Sequence, residues 1–465
     1  MKKEMKKNPA MQENKMRTMP VGRLLVTMAL PLVASMLVQA LYNVVDSIYV
    51  SRISESAVTA LGLAFPVQNL LIGFATGVAV GVNSLLSKSL GEGNQERANQ
   101  SAGNGIVLML IAAAAFMLFG AFGSRPYFEM QSEVAETVEG GISYISICCL
   151  LSLGIFVEVM GERLLQASGK TVYTLFTQGT GAIINILLDP VFIFGYFGIP
   201  AMGIAGAAVA TVIGQWVAGI MAVIFNLKFN TDVQFKLRYW KLQKDVAAPI
   251  LTVGIPSIVM MAIGSVMTFG MNQILQGFKR YGETATGVFG IYFKLQSFVF
   301  MPIFGLNNAS ISILAYNYGA REPKRITGTL KKSLMVAMGV MLVGLVAFQA
   351  APEVLLGIFE PSEQFLEIGC AALRIISLSF PLAAVGIALG ASFQALGIGV
   401  YSTITSLCRQ LIVLLPVAFL MSLTGDVNAV WWAFPIAELF SLTLSALFLK
   451  RVYRKEILPM REQAK

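Results

Sequence analysis

The chain has 465 residues, of which 56% are apolar and only 13% charged, with a net charge of +9 and a mean hydropathy of +0.72. A soluble domain carries about 25% charged residues, so this composition excludes a water-soluble globular protein and turns most of the surface toward lipid. Histidine is absent, which removes His-based catalysis, His metal sites and the usual physiological-pH switch.

Residues 1–22 are polar and basic, through Lys2, Lys3, Lys6, Lys7, Lys15 and Arg17, and no cleavage-type small-residue motif marks a removable signal peptide. Apolar runs then recur, each near the roughly 20 residues a helix needs to cross a bilayer. Spans 1 to 6 are expected at about 23–50, 57–86, 102–122, 138–161, 171–197 and 202–227. A basic stretch from Lys228 to Lys244 intervenes, and spans 7 to 12 follow at about 246–276, 285–316, 329–350, 366–391, 398–422 and 428–449. The runs lack the alternation of an outer-membrane barrel. The expected fold is an all-α polytopic membrane protein. Its domains are an N-terminal tail (1–22), an N-lobe (23–227), a linker (228–245), a C-lobe (246–450) and a C-terminal tail (451–465).

The loops fix an orientation. Odd loops hold few cations (Arg52, Arg125, Lys279, Arg280), and some hold acids, as in Glu129, Glu133 and Glu136 or Glu353, Glu360 and Glu363. The tails and even loops hold nearly all the rest, including Lys236, Arg238, Lys241, Arg321, Lys324, Arg325, Lys331, Lys332, Lys450 and Arg451. By the positive-inside rule both termini are expected in the cytoplasm. The positive charge is thus a topology signal, and no nucleic-acid partner is expected. Cys148, Cys149, Cys370 and Cys408 sit in apolar surroundings without CxxC spacing, so neither disulfides nor zinc are expected.

The second half repeats the first. At a shift of 228 residues, Gly62 and Phe65 fall on Gly290 and Phe293, Gly77 and Gly91 on Gly305 and Gly319, and Gln166 and Gly169 on Gln394 and Gly397. Pro31 falls on Pro256 at a shift of 225. Six spans per repeat give both halves the same orientation: two pseudo-symmetric six-helix lobes, with the substrate cavity of a transporter between them.

Charges inside the spans are expensive and point to function. In the first half, Asp46 shares a face of span 1 with Asn43, and Gln39 lies about one turn further back. Span 5 carries Asn185-Ile-Leu-Leu-Asp189-Pro190, with Asn185 and Asp189 on one face. Pro190 has no N–H, so the carbonyl of Ile186 loses its helical partner. Thr211 on span 6 adds a hydroxyl. Two acids, an amide, a hydroxyl and a carbonyl suit Na⁺ or a hydrated proton and no thiophilic metal. Apart from a possible Na⁺ at Asp46 and Asp189, no metal or cofactor is expected.

The second half is different. It buries Lys294, Arg374, Arg409 and Glu438, a charge network read either as structural pairing or as a second relay or anionic-group anchor. The position matching Asp189 is Val417. Pro31 and Pro256 should kink spans 1 and 7. Gly73-xxx-Gly77-xxx-Gly81 on span 2 reads as a small-residue packing face, and Met36 and Phe65 are placed near the cavity.

At these residues the chain resembles the multidrug and toxic compound extrusion (MATE) transporters, particularly their bacterial multidrug-pump branch. The resemblance rests on Ala-Leu-Pro31, Asn185-Ile-Leu-Leu-Asp189-Pro190, Gly203-Ile-Ala-Gly-Ala-Ala-Val-Ala-Thr211, Gln166-Ala-Ser-Gly and Tyr316-Asn-Tyr-Gly-Ala320, and covers nearly the whole chain. It implies a V of two lobes in a bacterial plasma (cytoplasmic) membrane. It also implies export of organic, often cationic, compounds driven by Na⁺ or H⁺, with the cation site at Asp46, Asn185, Asp189 and Thr211. Some relatives carry an acid on span 7, and this sequence has none there. The protein is expected to act as a monomer on small organic substrates. The alternative reading is a lipid or lipid-linked oligosaccharide flippase of the same superfamily, with Lys294, Arg374 and Arg409 on a phosphate-bearing headgroup. A channel is a third class. An enzyme is not expected, since no nucleophile–base pair with suitable spacing occurs.

Overall fold

The structure, a computed structural model, describes residues 14–359 and 362–463. The tail cations Lys2, Lys3, Lys6 and Lys7 and the loop acid Glu360 lie outside the described residues. Every regular element among the described residues is helical. Span 1 is Val21–Ser51, span 2 Glu55–Glu92, span 3 Gln95–Phe122, span 5 Val172–Phe194 and span 6 Ile204–Phe229. Span 7 is Lys244–Gln276, span 8 Gly282–Gly319 and span 9 Pro323–Ala350. Local chemistry sets the ends. Ser54 and Asn94 accept hydrogen bonds from the first-turn amides of Ala57 and Arg97, and Gly93 closes span 2 in the left-handed region at φ 77°.

Spans 4 and 10 are each two helices, Ala135–Leu150 with Leu153–Ala167 and Glu363–Ser377 with Phe380–Ala395, bent by 47° and 48°. The bends fall at matching places in the two repeats. Span 11 (Val400–Ser422) turns π-helical over Cys408–Leu414. Span 12 continues from Ala433–Val452 through a second π-helical turn to Leu458–Gln463. Pro31, Pro190 and Pro256 each lie inside a continuous helix, and breaks with bends of more than 40° occur in spans 4 and 10. The Ser35 hydroxyl donates to the Pro31 carbonyl (2.9 Å) and the Thr403 hydroxyl to that of Pro256 (2.9 Å).

Both tails lie at one end of the molecule. Arg325 donates to the carbonyls of Met16 (2.8 Å) and Met19 (2.9 Å), while the neighbouring Tyr318 and Arg321 bond Glu456 (2.7 Å) and Gln463 (3.4 Å). At this end the lobes are sealed, span 2 against spans 7 and 8 and span 1 against span 8. The repeat glycines make the seal. A Cβ on Gly91 would strike the Tyr316 carbonyl, one on Gly319 the Lys88 carbonyl, and one on Gly305 would come within 2.7 Å of the Val33 nitrogen. Gly62 and Gly290, an equivalent pair nearer the other end of the same two helices, face open space. The lobes therefore part away from the tails, as in a V. Outward-facing apolar side chains such as Ile183, Leu187 and Val343 give the spans their lipid surface.

Candidate functional site

Span 5 positions the N-lobe acids. Its Gly181 meets Gly214 of span 6 so closely that a Cβ on Gly214 would sit 2.7 Å from the Gly181 carbonyl oxygen. That approach brings Asn185, one turn on, against Thr211. With the Asn185 amide oriented to satisfy both neighbours, its nitrogen donates to Asp189 Oδ2 (3.0 Å). Its oxygen accepts from the Thr211 hydroxyl (3.1 Å) and the Thr211 backbone N–H (3.0 Å). Asp189 is fully buried, and its Oδ1 has no partner. A buried carboxylate oxygen left this way is costly unless a proton or cation meets it.

Span 1 packs on span 5 and brings a second acid. Asp46, half-buried, lies within electrostatic reach of Asp189. Tyr42, one turn before Asp46, stands against Thr211 and within reach of both carboxylates. Sequence reasoning missed Tyr42, although its spacing from Asp46 was a usable signal. Ile186 is half-buried beside Pro190, which leaves its carbonyl available. The donors gathered here are hard oxygens, which fit Na⁺ or a proton.

The weaker cavity residues lie toward the open end. Met36 and Gln39 are half-buried and Asn43 is exposed. Phe65 is 56% exposed, on the same face of span 2 as Gly62.

In the C-lobe, the structural pairing expected among the buried charges forms between Arg409 and Glu438 and leaves out Lys294. Arg409 Nη1 pairs with Glu438 Oε1 at 2.5 Å. Lys294 and Arg374 are exposed, and neither has an ion pair among the described residues. The four residues are thus one partly buried pair and two separate exposed cations.

A second group escaped the sequence reading. Glu162, buried in the second half of span 4, accepts from the Thr177 hydroxyl (2.7 Å) and the Gln178 amide (2.8 Å). Next to it Arg163 donates to Gln166 (3.0 Å), and Glu158 lies within electrostatic reach of Glu162. These residues straddle the expected end of span 4, where charge is read as loop.

A profile of the MatE family matches residues 31–191 and 256–420, once in each half. The chain belongs to the MatE family. Among MatE-related proteins, it is 25% identical to the probable multidrug resistance protein YoeA of Bacillus subtilis (strain 168), over 94% of this chain and 95% of that protein. It is 24% identical to the multidrug export protein MepA of Staphylococcus aureus (strain bovine RF122 / ET3-1), over 90% of this chain and 91% of MepA. The fold matches a solved structure described as the outward-facing conformation of a multidrug resistance MATE family transporter of the MOP superfamily. That match has a TM-score of 0.89 and 24% identity, and covers 97% of this chain and 98% of that one. This MatE chain is accordingly a multi-pass helical membrane protein with the V-shaped fold of MATE transporters.

Proposed function

We propose that the protein is a secondary active multidrug exporter that moves organic, mainly cationic, compounds out of a bacterial cell by antiport with H⁺ or Na⁺. The names of its relatives support multidrug export. The observation that carries the coupling is the unpartnered, fully buried Oδ1 of Asp189, with Asp46 within reach of its charge. Two carboxylates held this way in a low-dielectric lobe favour a shared proton or monovalent cation. Binding discharges the site and lets spans 1, 5 and 6 repack. The tail end is cytoplasmic in this reading, as the loop cations require, so the cleft opens outward. The chain works as a monomer, with substrate in the cleft between lobes and the cation in the N-lobe. Because Glu438 already balances the charge of Arg409, a phosphate-bearing headgroup there would add an uncompensated charge, which weighs against the flippase reading.

The test is dye efflux from energised cells lacking their own pumps. Wild-type protein should lower dye accumulation, and Asp46→Asn and Asp189→Asn should not, at equal membrane expression. Efflux undiminished in both variants would refute the coupling site.

A further inference from the structure

The C-lobe contains a cavity of about 340 Å³ bounded by spans 7, 8, 10, 11 and 12, large enough for a small organic molecule. The repeat explains its origin. At the shift of 228, Gly386 and Gly390 in the cavity wall occupy the positions of Glu158 and Glu162 in the N-lobe. The two repeats share backbone here, since Gly169 and its equivalent Gly397 adopt φ of 77° and 80°. The N-lobe fills this space with its own carboxylates. The C-lobe has replaced both with glycine, and a Cβ on Gly390 would find nothing nearer than the Ser402 hydroxyl at 3.8 Å.

Of the two donors that serve Glu162, the threonine is kept and the glutamine is exchanged for serine. Thr177, which donates to Glu162 Oε1, corresponds to Thr405, and Gln178 corresponds to Ser406; both C-lobe residues line the cavity. Thr405 is only 7% exposed, and its hydroxyl has no partner. A donor whose counterpart binds a carboxylate is thus left without an acceptor at the cavity wall. Arg409 and Gln410 reach the same cavity from a π-helical turn, a distortion frequent at functional sites. Beside the wall residue Gly386, Glu438, 9% exposed, spends Oε1 on Arg409 and leaves Oε2 without a partner, about 4.0 Å from where a Gly386 Cβ would stand.

The charges choose the ligand. Arg409 and Glu438 already balance, so a bare anion or cation would add an uncompensated buried charge. A zwitterion adds none. We infer that this cavity binds a small zwitterion, its carboxylate taken by Thr405, Ser406 and Arg409 and its ammonium by Glu438. This site is separate from the proposed coupling site and needs no ion gradient.

The test is equilibrium binding to the full chain in lipid nanodiscs, with 4-(aminomethyl)benzoate as the probe. Its methyl ester supplies the cation without the carboxylate, and 4-methylbenzoate the anion without the ammonium. The zwitterion should bind at least about tenfold more tightly than either. Thr405→Val, which keeps side-chain shape, should weaken it about tenfold. Gly390→Gln, which fills the place of the N-lobe carboxylate with a neutral amide, should abolish binding while leaving the thermal melt intact. Absence of saturable binding, equal binding of all three probes, or wild-type affinity in Gly390→Gln would overturn the inference.

Discussion

Gly77 of span 2 and Gly254 of span 7 meet across the seam between lobes, where a Cβ on Gly77 would lie 2.8 Å from the Gly254 carbonyl oxygen. One turn on, a Cβ on Gly81 would strike the carbonyl of Ile250. The glycine stripe that reads as ordinary helix packing is therefore the surface on which the lobes close. In alternating access this surface must separate. Gly81→Leu should bias the protein toward a state open at the tail end. Spin labels at Lys228 and Lys324, both exposed and in opposite lobes, should move apart in that variant. An unchanged distance would show that the seam tolerates bulk without opening.

Arg409 and Glu438 form a partly buried ion pair in the C-lobe. Arg409→Met alone leaves Glu438 uncompensated and should cost about 1–3 kcal/mol of stability. Adding Glu438→Leu should recover most of it. Thermal unfolding in nanodiscs reads both. A double variant no more stable than the single would mean that the pair holds its helices by more than charge.

Thr177 donates to the buried Glu162 carboxylate. Thr177→Val preserves shape and removes the donor, and should destabilise the protein by about 1–3 kcal/mol. A melt unchanged from wild type would mean that Gln178 and Arg163 satisfy Glu162 without it.

Lys15 packs beside the Gly169 turn, its Cε 3.1 Å from where a Gly169 Cβ would stand. Burial, and then the nearby Lys170, push its pKa below the ordinary lysine value. Between the lowered and ordinary values the unfolded chain holds a proton that the folded chain does not. Stability at this site therefore rises with pH across that window and levels off above it. Lys15→Met should raise the melting temperature at neutral pH and flatten this local pH dependence. A lower melting temperature would show that the ammonium is well solvated where it lies.

The apolar runs and the 228-residue repeat were enough to read the lobes, because lipid demands a signal of that length and strength. Asn185 and Asp189 were legible too, since a one-turn spacing fixes a shared face. What escaped was tertiary. The second half of span 4 runs to Ala167, past its expected end, so Glu162 and Arg163 fell where loop charges are expected, and Glu158, inside the span, was overlooked. Nothing local marks the π-turn at Cys408–Leu414. The glycines of span 2 announced close packing without naming their partner, and only the fold places that partner in the other lobe. The C-lobe cations looked like one network because a sequence lists charges without their directions.

The most direct measurement of the central claim is substrate flux in proteoliposomes under an imposed Na⁺ or pH gradient, comparing wild type with Asp189→Asn. The coupling site predicts gradient-driven flux in the wild type and flux at the protein-free level in Asp189→Asn, with the variant folded and its melt near wild type. Gradient-driven flux in Asp189→Asn equal to wild type would contradict it.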